Sequence, residues 1–229
     1  MRLRDLAIYA DQRLVDRYPG GFVQQFHRET CCVVELYLSH LTRKVETNGI
    51  AKAQLTFSES LADPPPIEAV IRLDKVIVAP WPFDFAAYKN ADDETKKRAV
   101  GTALCSALLW LGDLFEWEKS PFENAFAASE NAEWIFEGYS KRSWVSPSGE
   151  FRAKIFFRFE ISGVELFATI FRGRSKQEIA RRPLGKAVPE MGCLSHLLQN
   201  AKWKSETTFS ANSTDVRRKA WHAEFPELR

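Results

Sequence analysis

Between Phe151 and Phe171, two runs of alternating residues flank the pair Ser162-Gly163. Successive side chains of a strand point to opposite faces, so a period of two sorts these residues unambiguously. Phe151, Ala153, Ile155, Phe157, Phe159 and Ile161 share one face, and Arg152, Lys154, Phe156, Arg158 and Glu160 share the other. After the turn, Val164, Leu166, Ala168 and Ile170 alternate with Glu165, Phe167, Thr169 and Phe171. Two such runs around a Ser-Gly turn close into an antiparallel hairpin. Because Phe156, Phe167 and Phe171 fall on the less apolar face, that face is expected to be covered as well.

Two helices precede the hairpin. The first is expected over about 92–116: Asp92 or Asn90 supplies a cap, and Asp93 and Glu94 complement the positive end of the helix dipole. Val100, Leu104, Ala107, Leu108, Leu111, Leu114 and Phe115 recur at three and four, the stripe of a core-facing helix. The second is expected to start at Ser120-Pro121-Phe122-Glu123, with Ser120 and Glu123 forming a capping box and Pro121 at the first helical position. Its stripe reads Phe122, Ala125, Phe126, Ser129, Ala132, Ile135, Phe136 and Tyr139, with Gly138 near the end.

Upstream, residues 1–18 fit neither period and Pro19-Gly20-Gly21 breaks the chain. Residues 31–41, rich in β-formers, read as a strand; Asn48-Gly49 reads as a turn, and Ala51, Ala53, Leu55 and Phe57 read as one face of a partner strand. Pro64-Pro65-Pro66 is a stiff connector, Ile67–Ala79 reads as one or two strands, and Pro80 and Pro82 are expected to stop any ladder. Past Arg172, Leu194–Ala201 reads as a helix, and Thr207–Ser210 and Lys219–Phe225 as edge strands. The fold class that follows is α+β: a mostly antiparallel sheet from the N-terminal strands and the 151–171 hairpin, with two main helices packed on one face. The chain reads as a single domain over 1–229, sub-divided into N-terminal strands (1–66), a sheet–helix–helix–hairpin core (67–171) and a basic C-terminal extension (172–229).

Charge is unevenly distributed. Residues 84–139 carry eleven acids and five bases, while residues 140–229 carry nine acids and seventeen bases. An acidic helical block followed by a basic block either complement each other or form patches that steer a charged partner. The densest bases are Arg172, Arg174, Lys176, Arg181, Arg182 and Lys186. No aromatic residue lies among them, which weakens a single-stranded nucleic-acid reading of this segment. The start, Met1-Arg2-Leu3-Arg4-Asp5, lacks the apolar core of a signal peptide, and no stretch approaches the roughly 18–20 apolar residues of a membrane span, so no membrane partner and a cytoplasmic location are expected.

No motif of known chemistry is present, and no catalytic, metal or cofactor residue can be assigned. The four histidines, His27, His40, His196 and His222, are scattered, with none at metal spacing from another. Cys31 and Cys32, adjacent in the expected strand, would point to opposite faces; Cys105 falls on the apolar side of a helix, and Cys193 stands alone. Carboxylates cluster at Asp92 and Asp93, and at Glu130, Glu133 and Glu137, whose three–four spacing would line one face of the second helix. These five acids are the expected partner-binding surface. Trp81, Phe83, Phe85 and Tyr88 around Asp84 read as an aromatic plug closing the core, with an exposed hot-spot cluster as the alternative.

The segment Phe83-Asp84-Phe85-x-x-Tyr88, then Asp92-Asp93-x-x-Lys96-Lys97, then a helix ending Leu111-Gly112-Asp113, resembles immunity proteins of bacterial polymorphic toxin systems. Tyr139, Trp144 and the step Arg152-Ala153-Lys154 extend the likeness, which covers about residues 70–160. The resemblance implies a bacterial, cytoplasmic, non-enzymatic protein that binds and neutralises a toxin domain. Two other readings stand beside it: a hydrolase using His40 or His222, and a nucleic-acid-binding protein using the bases of 172–186.

Overall fold

Asp5–Ala10 (β1) and Lys52–Ser58 (β2) pair in parallel, with Phe22–His40 (α1) as the crossover between them. The computed structural model describes residues 2–41, 45–175, 177–190, 200–211 and 220–228. Ile71–Leu73 (β3) and Val76–Pro82 (β4) complete a four-stranded sheet in the order β1-β2-β4-β3, in which β2 and β4 are parallel and β3 is antiparallel to β4. Phe85–Asn90 (α2), Asp93–Phe115 (α3) and Ser120–Asn131 (α4) follow. Leu6, Ile8 and Ala10 align with Ala53, Leu55 and Phe57 and with Ile77, Ala79 and Trp81 to form one buried face.

Residues 31–41 are therefore helical, not a strand. The run Cys-Cys-Val-Val-Glu-Leu-Tyr-Leu has β-formers, but Val23, Phe26, Thr30, Val33, Val34 and Tyr37 recur at helical spacing once residues 22–30 join the window, and all are buried. Burial of that stripe overrides weak local propensity. Residues 1–18, ambiguous in sequence, include β1, and β2 pairs with β1 and β4 instead of with 31–41. Pro80 and Pro82 do not stop the ladder either. Phe83 N–H donates to the Ser58 carbonyl at 2.9 Å, so the odd-numbered positions face β2. The two prolines face the side where β3 has already ended, and a missing N–H costs nothing there.

α3 forms as expected. Asp92 caps it by accepting from Thr95 N–H at 2.7 Å, and the chain leaves through Glu116 in the left-handed region, φ 56°. α3 is long and apolar enough to cross a membrane by length and composition, whereas the sequence showed no such stretch. Its Leu and Ala content is diluted by Gly, Thr and Ser, and its apolar side packs on α1 and α4. α4 starts at Ser120, but Ser120 donates to Glu118 at 2.7 Å and the N-cap position, Lys119, makes no side-chain capping bond. It also ends at Asn131, well short of Tyr139. Glu133 and Trp134 both turn left-handed (φ 52° and 55°), and Phe136–Tyr139 (β5) is a strand.

The chain divides into two compact units, Met1–Ile135 and Phe136–Arg229. The boundary falls inside the stretch expected to be one core. Residues 1–135 carry 20 acids and 15 bases, net −5, and residues 136–229 carry 10 acids and 17 bases, net +7. Among its described residues, the regular structure of the second unit is strand apart from one short 3-10 turn. β5, Trp144–Val145 (β6), Phe151–Glu160 (β7), Gly163–Arg172 (β8) and Glu178–Ala187 (β9) form an antiparallel sheet in the order β5-β7-β8-β9, with β6 also on β7. Lys202–Trp203 (β10), Thr208–Ala211 (β11) and Trp221–Glu224 (β12) form a second sheet in which β11 is central. The hairpin register, Phe159 to Val164 through Ala153 to Ile170, is the one the alternation implies.

The β10–β12 sheet covers the more apolar face of the β5–β9 sheet. Trp144 meets Phe209 with ring centroids 5.4 Å apart, and Arg182 lies over Phe225. The α+β class holds, with a mainly parallel first sheet and two further antiparallel sheets. The helix expected at Leu194–Ala201 lies, up to residue 199, outside the described residues, as do Cys193, His196 and Lys176.

Candidate binding groove at the carboxyl end of the parallel strands

Open α/β sheets bind ligands in crevices beyond the carboxyl ends of their parallel strands, where backbone polar groups and loop side chains converge. In the first unit an acid follows closely on each of three such ends: Asp11 after β1, Glu59 after β2 and Asp84 after β4. The last two join a groove of about 1010 Å³ lined by Arg17, Asp63, Trp81, Phe83, Arg98 and Thr102, among others.

The sheet side of the groove is fixed by local bonds. Glu59 accepts from Tyr18 Oη at 2.6 Å and lies 2.5 Å from Arg17 Nη1. The bond to Glu59 holds the Tyr18 phenol above its ordinary pKa. Asp84 caps α2, accepting from Ala87 N–H at 2.8 Å. Asp11 accepts from Arg13 N–H at 2.9 Å and from its guanidinium, and the guanidinium holds the Asp11 carboxyl below its usual range.

The opposite wall is a ridge of α3. Thr95, Arg98, Ala99, Thr102, Ala103 and Ser106 succeed one another at three and four, so they share one face. Small side chains keep that wall low; Arg98 alone projects, paired with Glu94 at 3.1 Å. Beneath lies the expected aromatic plug. Phe57 and Phe83 stack at 4.8 Å, and Phe26 meets Phe85 at 4.9 Å and Tyr88 at 5.0 Å. Phe85 and Tyr88 are buried, while Phe83 is half-exposed and, with Trp81, forms the floor. Below the plug, Tyr88 Oη and Gln25 Nε2 donate to the Glu29 carboxylate at 2.7 and 2.6 Å, with Lys96 Nζ 3.8 Å away. Burial pushes the Tyr88 phenol up.

Of the five acids expected to bind a partner, Asp92 and Asp93 open α3, whose next turn enters the groove at Thr95. Hydrogen bonding to Thr95 holds the Asp92 carboxyl below its usual range. Glu130, Glu133 and Glu137 do not share a helix face. Glu130 is on α4, Glu133 is in the turn after it, and Glu137 is on β5 in the second unit, 2.9 Å from Arg158. The helical spacing ran on past the helix.

His40 closes α1 in the first unit, whereas His222 lies on β12 in the second; they are not strand neighbours. His27 Nδ1 is 2.9 Å from the Ile8 carbonyl, and its ring stacks on Tyr9. Cys31 and Cys32 are on α1, where Cys32 is buried, as is Cys105 on α3. Among the described residues, no three His, Cys, Asp or Glu side chains could jointly hold a metal ion. In the basic segment, Arg181 pairs with Glu178 at 2.7 Å, Arg182 with Glu227 at 2.8 Å, and Lys186 donates to Ser162 at 3.1 Å.

Sequence reasoning missed Arg17, Glu59, Asp63, Arg98, Thr102 and Ser106. The available signal was an acid soon after the end of three separate strands, which has meaning only once those strands are known to be parallel. Comparison of the chain with protein-family models, curated proteins and solved structures returns no match.

Proposed function

We propose that this chain is a non-catalytic immunity-type protein that binds a bacterial toxin domain and neutralises it by occlusion, with the groove of the first unit as its contact surface. The observation that carries this is the groove's make-up. Its aromatic floor is Trp81 and Phe83 and its rim holds Glu59, Asp63 and Asp84, while Asp92, Asp93 and Glu94 precede Thr95, the first α3 residue of its lining. Aromatic anchors ringed by polar groups are the pattern of protein interfaces. Glu59 and Asp84 are already engaged with Arg17, Tyr18 and the α2 cap, so they shape the surface. The net −5 of residues 1–135 suits a basic partner loop. The likeness of residues 70–160 to immunity proteins supports the same class of partner.

The test is co-expression with any toxin-like domain that a neighbouring gene encodes, read as co-purification and as survival of the producing bacterium. Thr102→Arg with Ser106→Arg, both exposed on α3, fills the groove without touching the core. Native chain that co-purifies and protects, with the double variant losing both, is the expected result. A native chain that neither binds nor protects overturns the reading, and a double variant that protects as well as the native chain removes the groove from it.

A further inference from the structure

At about 1010 Å³ the groove of the first unit has room for a short stretch of polypeptide, and its charges fall into two sets. Two are closed pairs within the chain: Arg17 lies 2.5 Å from Glu59, and Arg98 lies 3.1 Å from Glu94. Asp63 and Asp84 form the other set. Both line the groove, both are exposed, and neither pairs with a cation among the described residues. Asp84 uses only Oδ1 for the α2 cap, so its second oxygen is open to a further donor.

The floor supplies the second half of the argument. Phe57 stacks on Phe83 at 4.8 Å and still leaves Phe83 half-exposed, next in the chain to Asp84. An accessible ring and two unpaired carboxylates in one groove suit a cation that can lie flat on the ring and donate to the acids. A guanidinium does both, whereas an ammonium is a compact point charge without a planar fork. The chain builds this arrangement for itself in its second unit. There Arg181 lies 4.1 Å from the Phe156 ring centroid, donates to Glu178 at 2.9 and 2.7 Å, and reaches Tyr139 Oη at 3.0 Å. On the opposite wall, Ala99 and Ala103 are short enough for a backbone to approach, and the hydroxyl-bearing Thr102 and Ser106 are exposed beside them.

We propose that the groove reads an arginine: a loop of the partner protein enters it, lays one arginine side chain over Phe83 and donates from the guanidinium to Asp63 and Asp84. The inference rests on the reading of the groove as the toxin-contact surface and names the residue that this surface selects. Charge complementarity decides the occupant, since the two acids left without a cation face the same space as the open ring. The loop backbone runs along the α3 wall, where Thr102 and Ser106 can bond its amides. Each exposed charge pair is weak, so the arginine supplies selectivity and the rest of the loop supplies buried area.

The test is titration of the full chain, labelled with ¹⁵N-tryptophan, with the blocked tripeptide acetyl-Gly-Arg-Gly-amide and with its lysine and citrulline counterparts. The Trp81 indole signal, assigned by its loss in Trp81→Phe, reports on the groove floor. A saturable Trp81 shift with the arginine peptide, weaker binding of the lysine peptide and no saturable shift with citrulline are expected. Asp63→Asn and Asp84→Asn should each weaken the arginine peptide about two- to fivefold, the worth of one exposed charge pair. Asparagine is as good a cap as aspartate, so Asp84→Asn keeps α2, and circular dichroism checks that each variant is folded. A silent Trp81, equal binding of the lysine or citrulline peptide, or unchanged affinity in both folded variants would each overturn the proposal, and free arginine binding more tightly than the peptide would make the groove a metabolite site instead. No toxin is needed for this titration. Co-purification that the Thr102→Arg/Ser106→Arg variant loses, with Trp81 silent to arginine, overturns the arginine alone; a native chain that binds no toxin while Trp81 still responds overturns the toxin reading alone.

Discussion

The indole of Trp134 fills the space beside Gly101: a Cβ built on Gly101 would lie 2.0 Å from Trp134 Cη2. Trp134 is 1% exposed, sits one residue before the end of the first unit, and meets Phe126 edge-on at 5.7 Å. In an ordinary helix interior Gly→Ala stabilises by about 1 kcal/mol, because Ala gives up less backbone entropy. Here the sign should reverse, since overpacking costs roughly 1–3 kcal/mol. Gly101→Ala is expected to lower the unfolding free energy by that amount, read as a lower urea midpoint. In a Trp134→Ala background the same change should become neutral or stabilising. If the two changes simply add, the contact does not carry the cost.

A second glycine is closed in the same way. Gly185 on β9 faces Trp221 of β12, and an added Cβ would stand 2.4 Å from the indole Cδ2. No positive φ is involved, so the penalty is purely one of space. Gly185→Ala is expected to destabilise by roughly 1–3 kcal/mol, read as a lower melting midpoint, and Trp221→Ala should abolish that increment. An unchanged midpoint in Gly185→Ala would show that the two sheets part easily at this edge.

The hairpin and α3 were legible in the sequence because their signals are local. The hairpin keeps strict alternation over twenty residues, and α3 couples an Asp92 cap to a long apolar stripe. α1 was not legible, since its stripe becomes periodic only when Phe22–Thr30 is read together with the β-rich run that follows. α4 was read as too long because Ile135, Phe136 and Tyr139 prolong the helical spacing by coincidence. The left-handed turn at Glu133 and Trp134, made without glycine, leaves no sequence mark. The groove was least legible of all: its residues come from the ends of separate strands and from the one side of α3 that carries no large apolar residue.

The Glu29 carboxylate depends on donors that the chain supplies from a distance. Tyr88 Oη lies 59 residues away in sequence and 2.7 Å away in space. Tyr88→Phe keeps the ring contacts with Phe26 and Phe83 but deletes that donor, leaving a buried carboxylate short of a bond. The expected cost is about 1–3 kcal/mol, measured by urea unfolding at neutral pH. Glu29→Leu combined with Tyr88→Phe should cost less than the sum of the two, because the bond can be lost only once. Full additivity would mean that the hydrogen bond contributes nothing.

Glu35 on α1 gives a pH dependence of definite sign. Burial, and after it the charge of Asp5, raise its carboxyl above the ordinary 4.5. A group whose pKa is raised by folding stabilises fully below its unfolded value, and that contribution is lost as pH climbs through the raised value. Glu35→Gln does not titrate there. The stability of the variant relative to the native chain should therefore rise as pH climbs above about 4.5 and level off once pH has passed the raised value. Urea midpoints for both proteins at pH 4, 5, 6 and 7 give the difference directly, and the oppositely shifted Asp11 and Asp92 cancel from it. A difference that stays flat, or that falls as pH rises, would place Glu35 in water instead of against the β1 edge.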